Sequence, residues 1–401
     1  MVIYIFGRHP DLPWGDGLGY AMAVEKGFDL ATNANSHYLY LNFHHLIFHA
    51  LPNPDAVQLL GWASLVWAGI CLFLTGWIAS VWSDFKASLV SITILASCFP
   101  FWRHACIPEV YTMELSFWAA LFLCFFYWIN LGKRQAISLF FLIHALALLV
   151  HIHFILVFPV LALVLIKRRN WSPWFLLWYL IPLLVIGYSV FFLEINTISQ
   201  VFFDSIQEKM MDFDWITKLK GPFFSAFILI FMFPAGFLLF LLNLKSNRHK
   251  LQQIVKEPFG IFLGLMAIPV LGFASLFPEQ GIYVFLLPVF LILSLFSGRI
   301  FSGFTWSAHL IWIIPIFQIG YFYLGKYTFI HTSSAEKISQ QDIKGGSGFL
   351  FLPWANGNIA SVLQKTKEIP IDSCPDEERW NAEQAIRWNQ LHPRSQFLKP
   401  D

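Results

Sequence analysis

Asp16 stands between two glycines in Trp14-Gly15-Asp16-Gly17. A carboxylate so placed either caps the helix that follows it or, with Gly15 and Gly17 letting a substrate approach the backbone, takes a proton from a bound hydroxyl. Glu109 lies in Trp102-Arg103-His104-Ala105-Cys106-Ile107-Pro108-Glu109-Val110-Tyr111 and poses the same alternative. Pro108 opens a helix there, and the helix dipole favours a carboxylate in the first turn. His151 and His153, in a tight turn between two apolar runs, are either satisfied structural histidines or a pair of donors for a phosphate, and Arg103 and His104 add ionisable groups near membrane depth. His37 opens a stretch in which His45 and His49 stand at i, i+4. No HExxH glutamate or cysteine pair accompanies them, so packing at an interface is their expected role. Asp16 and Glu25 fall on opposite faces of the helix expected to end at Gly27, and so form no carboxylate pair.

The elements that position these groups must cross a membrane. With 57% hydrophobic and 12% charged residues and a mean hydropathy of +0.61, the 401-residue chain has more apolar surface than a soluble fold can cover. A net charge of +2 gives no field for nucleic acid. About ten apolar runs approach the length a bilayer demands, at 57–82, 88–102, 112–130, 137–150, 154–166, 172–193, 222–243, 258–277, 283–298 and 305–325. Those at 137–150 and 154–166 are short, and read as tilted spans or as one re-entrant pair. Cys71, Cys98 and Cys124 fall inside apolar runs as small packing residues, while Cys106 and Cys374 lie in polar segments.

Alternate loops carry Lys86, Lys133–Arg134, Lys167–Arg169, Lys245–Lys256 and Arg299, which marks them as cytoplasmic. Residues 1–56, 103–111, 151–153, 194–221, 278–282 and the tail then face outward, toward periplasm or organelle lumen. The expected organisation is a transmembrane domain over 1–325 and a soluble outer-face tail over 326–401. Met1–Phe6 is apolar but too short to span, and is expected to be the end of a first helix, with a short interfacial anchor as the alternative.

The order of these clusters resembles the GT-C superfamily of membrane glycosyltransferases, most closely its protein O-mannosyltransferase-like branch. Gly15-Asp16, His37 and Glu109-Val110-Tyr111 stand where that branch has a first-loop Gly-Asp, a His-Pro-Pro-Gly-Tyr-Pro stretch and a Glu-Val-Tyr. His151 and His153 ahead of Phe158-Pro159, and Tyr283 ahead of Leu287-Pro288, match its His-rich turn and its late Arg-Tyr-x-x-Pro motif. Tyr38-Leu39-Tyr40-Leu41-Asn42 replaces the Pro-rich part, and Ile282 replaces the late arginine. The resemblance implies an all-α polytopic bundle, without the superfamily's usual first helix, and an active site in the outer loops. There a sugar passes from a polyprenyl-phosphate donor to an acceptor hydroxyl on protein, lipid or glycan, with inversion. It casts Asp16 as catalytic base with Glu109 as its rival, and Arg103, His104, His37, Tyr111, His151, His153 and Tyr283 as substrate-binding residues. No metal ligand is assigned; a divalent metal is compatible with the chemistry but not required. The expected setting is a bacterial inner membrane or an organelle membrane such as the endoplasmic reticulum.

No phosphate loop, nucleophile elbow or dinucleotide fingerprint occurs. The alternatives are a transporter or flippase for a lipid-linked substrate, or an inactive GT-C-like protein. A transporter would place paired ionisable groups in mid-span, whereas here they collect at helix ends.

Overall fold

The computed structural model describes residues 16–27, 37–167, 171–192, 249–276, 284–302 and 307–330, with parts of 221–230 and 383–392. Tyr283, all of the loop 194–221 but its last residue, most of the run 222–243 and most of the tail lie outside the described residues. Among the described residues every regular element is helical.

Two short helices, α1 (Gly17–Lys26) and α2 (Tyr38–Ala50), precede the first long one, α3 (Ala56–Trp82). Asp55 caps α3 by accepting the Gln58 N–H at 3.0 Å, and Asp84 caps α4 (Phe85–Ser97) by accepting that of Ala87 at 2.8 Å. Then come α5 (Phe99–Cys106), α6 (Tyr111–Leu131) and α7 (Arg134–Val150), followed by a 3-10 turn (Ile152–Leu156) and α8 (Val157–Lys167). A second 3-10 turn (Pro173–Tyr179) leads into α9 (Leu180–Phe192), and α10 (Pro258–Leu276), α11 (Leu287–Phe301) and α12 (Ser307–Ile330) follow.

Helix α3, helix α6 and residues 258–275 of α10 are each long and apolar enough to cross a membrane alone. Helices α4 and α5 pass together but bend by 69°. The run expected at 88–102 is thus a broken element. Cys98 is extended (φ −67°, ψ 124°), and Pro100 in the first turn of α5 has no N–H with which to continue the ladder from α4. The break moves Arg103 and His104 from the expected loop into the last turn of a buried helix. Five shorter apolar segments, including 134–150 and 152–166, complete the described bundle.

Close approach holds the centre together, as expected where lipid supplies no hydrophobic drive between helices. A Cβ on Gly298 of α11 would fall 2.6 Å from the Ala87 carbonyl oxygen and onto Ser91 Oγ, both on α4. One on Gly76 of α3 would fall 2.9 Å from Ser88 Oγ. Phe125 of α6 stacks on Phe262 of α10, their planes 9° apart.

The two ends of α3 carry different polar neighbourhoods. At its C-terminal end Trp82 donates to Glu257 at 2.6 Å, Arg299 pairs with Glu257 at 2.9 Å, and Arg299 also donates to Ser83 at 3.1 Å. At its N-terminal end Ala56, Val57 and Leu60 pack with Leu18, Ala21, Val24, Tyr40, Val110 and Trp388. A helix of 27 residues separates those ends by about 40 Å. Arg299, from the loops expected to be cytoplasmic, and Trp388, from the tail expected outside, therefore sit at opposite ends of the bundle.

Candidate functional site

Asp16 occupies the N-cap position of α1, but its backbone is already helical (φ −74°, ψ −11°) and its side chain caps nothing. The carboxylate instead accepts from the Tyr20 hydroxyl one turn along, so the capping reading is not what the fold uses. Gly17 has a packing role rather than the expected opening toward substrate. A Cβ there would lie 2.8 Å from the Pro108 carbonyl oxygen, so α1 begins pressed against the residue before Glu109.

Glu109 is not in the first turn of a helix. Helix α6 starts at Tyr111, and the first-turn acid is Glu114. The Glu109 backbone is fixed at both ends by Ser64, whose hydroxyl accepts its N–H at 3.2 Å and donates to its carbonyl at 3.1 Å. Its carboxyl is buried, and Oε2 has no hydrogen-bond partner. Burial and then the charge of Asp16 push Glu109 well above the usual carboxylate range, while Arg103 and the Val110 N–H pull it back. Burial also raises Asp16, against the pull of His37 and Tyr20, yet Asp16 keeps more contact with solvent than the buried Glu109. Of two interacting carboxyls the more buried keeps the proton. The pair is therefore biased toward a proton on Glu109 rather than on Asp16.

A row of imidazoles continues from this pair. His37 donates Nδ1–H to the Val150 carbonyl at 2.8 Å, and burial holds its pKa below the ordinary value. Its ring stacks on His151 (centroids 5.1 Å, 25°) and meets Tyr20 edge-on at 5.4 Å. His151 Nδ1 accepts the His153 N–H at 3.1 Å, which fixes its proton on Nε2; burial lowers its pKa to about 3, so it is neutral at physiological pH. His153 Nδ1 lies 3.1 Å from Glu114 Oε1, and Glu114 also receives the Trp118 indole N–H at 3.3 Å. His104 meets Tyr111 edge-on at 4.7 Å, and Tyr111 lies 6.0 Å from His151. Arg103, buried in α5, acts on Glu109 through its charge.

The fold thus gathers Asp16, His37, Arg103, His104, Glu109, Tyr111, His151 and His153 at one end of the bundle; Tyr283 lies outside the described residues. It adds Tyr20, Ser64 and Glu114, which the sequence reading left out. Glu114 did carry a signal, a carboxylate inside an apolar run. His45 and His49 do not join the site. His45 donates to the Val24 carbonyl at 2.6 Å and packs edge-on against His49 at 4.3 Å, so both have packing roles. Glu25 is engaged by the tail, pairing with His392 at 2.9 Å. Candidate ligand atoms of Glu114, His151 and His153 lie within 4.8 Å of one another, but the His151 lone pair and the His153 proton are already committed to neighbours in the same group.

No family model and no curated protein matches the chain. Among solved structures it is similar to ArnT from Cupriavidus metallidurans, in a crystal structure bound to undecaprenyl phosphate and in one of the apo state. The TM-score is 0.55 in both cases, at 13% and 12% identity, over 94% and 96% of this chain and 72% and 73% of ArnT. The likeness is one of fold: the chain shares the helical architecture of ArnT.

Proposed function

We propose that the protein is a membrane glycosyltransferase that moves a sugar from a polyprenyl-phosphate donor to an acceptor hydroxyl at the outer membrane face. One observation carries this reading. Two carboxyls, Asp16 and Glu109, and a row of imidazoles converge at one end of a bundle similar in fold to a protein crystallised with undecaprenyl phosphate.

In this reading Asp16 takes the proton of the acceptor hydroxyl as its oxygen attacks the anomeric carbon. Glu109, kept neutral by its burial, donates a hydrogen bond to a sugar or acceptor hydroxyl without adding a second negative charge. The departing phosphate is met by Arg103 and the imidazoles, groups whose hydrogen bonds and charge stabilise an oxyanion. A single displacement of this kind inverts the anomeric centre. The order Gly15-Asp16, His37, Glu109-Val110-Tyr111 favours the O-mannosyltransferase-like branch within the fold. The charge bias of the loops supports a periplasmic or lumenal site.

The test is transfer of labelled sugar from polyprenyl-phosphate sugars by the purified protein in detergent. Release of polyprenyl phosphate with formation of a glycoside supports the reading. Binding of the donor with no turnover across a panel of sugars and acceptors would contradict it.

A further inference from the structure

The strongest group that the scheme above leaves unassigned is Glu114, buried within the first turn of α6. A carboxylate can only accept, so the 3.1 Å contact with His153 Nδ1 places the ring proton on that nitrogen and turns Nε2 away from Glu114. His153 Nε2 is buried and has no hydrogen-bond partner. The ring's other neighbours are Phe273 of α10 and Phe285 ahead of α11, both edge-on at 4.8 Å and 5.0 Å. An unpartnered polar atom beside two aromatic rings suits an amphipathic ligand, a phosphate head on a hydrocarbon chain.

We propose that Glu114 is a positioning residue that holds His153 as the proton donor to the departing phosphate of a polyprenyl-phosphate sugar, an inference that rests on the glycosyl-transfer reading above. An anionic phosphate oxygen cannot face a bare Nε2 lone pair, so the two meet only across a proton. The carboxylate behind the ring fixes its orientation and offsets the positive charge of the donor form that supplies it. Among the described residues the titratable neighbours of His153 are Glu114 and His151, with His37 stacked beyond His151. His151 is neutral and already accepts the His153 backbone N–H, so it does not compete for Glu114.

The step balances. The acceptor oxygen bonds to the anomeric carbon and its proton passes to Asp16. The bond from that carbon to the phosphate oxygen breaks with its electrons on oxygen, and His153 Nε2–H passes a proton to that oxygen. Neutral His153 and protonated Asp16 then exchange with water.

Binding of methyl farnesyl phosphate, a diester whose single charge does not titrate near neutrality, reads the device without turnover. In the wild-type protein Kd should weaken as pH rises. Glu114→Gln, which can still accept from Nδ1–H but carries no charge, should bind about tenfold more weakly at pH 7 and lose binding at lower pH than wild type. Glu114→Asp should keep the wild-type profile. His153→Gln should flatten the pH dependence, and it remains informative if Glu114→Gln does not fold. A wild-type pH profile in folded Glu114→Gln or His153→Gln would overturn the proposal. So would absence of binding to the wild-type protein, or one tightly held metal ion per chain that Glu114→Gln removes. Wild-type protein that binds the diester with the expected pH dependence but transfers no sugar would sink the glycosyl-transfer reading and leave the Glu114–His153 device standing.

Discussion

Gly17 of α1 lies against Pro108, with room for no Cβ: one built there would stand 2.8 Å from the Pro108 carbonyl oxygen. This contact, between residues far apart in the chain, sets Asp16 beside Glu109 closely enough that the Asp16 charge raises Glu109.

Gly17→Ala should therefore act on catalysis through geometry. The new methyl meets a backbone oxygen that cannot rotate away, so α1 must shift and carry Asp16 with it. Overpacking of this kind costs about 1–3 kcal/mol, and a displacement of about 1 Å at a catalytic group costs about a hundredfold in rate. Steady-state kinetics beside thermal unfolding of the detergent-solubilised variant would read both. Unchanged kcat in the folded variant would show that the Gly17–Pro108 contact does not set the site.

The hydrogen bond from Tyr20 gives a pH test with a defined sign. It favours ionised Asp16 and so lowers a pKa that burial has raised. Activity that needs charged Asp16 falls as pH drops through that pKa, and the fall should come at higher pH than for an ordinary aspartate. Tyr20→Phe removes the opposing pull, so the acid limb of kcat/KM should move to still higher pH. A limb that stays put or moves down would detach Asp16 from the titration that controls rate.

Much of this constellation was legible in the sequence, because each member carries its own mark. Asp16 sits between glycines, Glu109 follows a proline, and His151 and His153 interrupt two apolar runs. Their convergence was not legible, since no periodicity reports that His37 will reach the Val150 carbonyl. The fold class followed from apolar content and run length, but the 69° break between α4 and α5 did not. Its signal was Pro100, hidden in a run whose hydropathy continues past it. Glu114 escaped because the polar cluster was closed at Tyr111, one turn too early, while its partner His153 arrives from a different helix connection.

Sidedness is open to direct measurement at two exposed positions, Asn53 between α2 and α3 and Lys133 between α6 and α7. In a cysteine-free background, Asn53→Cys should react with a membrane-impermeant maleimide in intact cells or sealed vesicles and Lys133→Cys should not. The reverse pattern would move the proposed site to the cytoplasmic face.

The most direct test of the central claim compares Asp16→Asn with Glu109→Gln in one sugar-transfer assay. Asp16 caps no helix, so the amide should leave folding and donor binding intact. It cannot accept a proton, and losing a general base costs about a hundredfold to ten-thousandfold in rate. Glu109 acts as a neutral group, which glutamine mimics, so Glu109→Gln should lose less than about tenfold. The account predicts that Asp16→Asn binds donor normally and transfers at most about a hundredth as fast as wild type, while Glu109→Gln stays active. Near-wild-type transfer by Asp16→Asn, with Glu109→Gln dead, would contradict it and exchange the two roles.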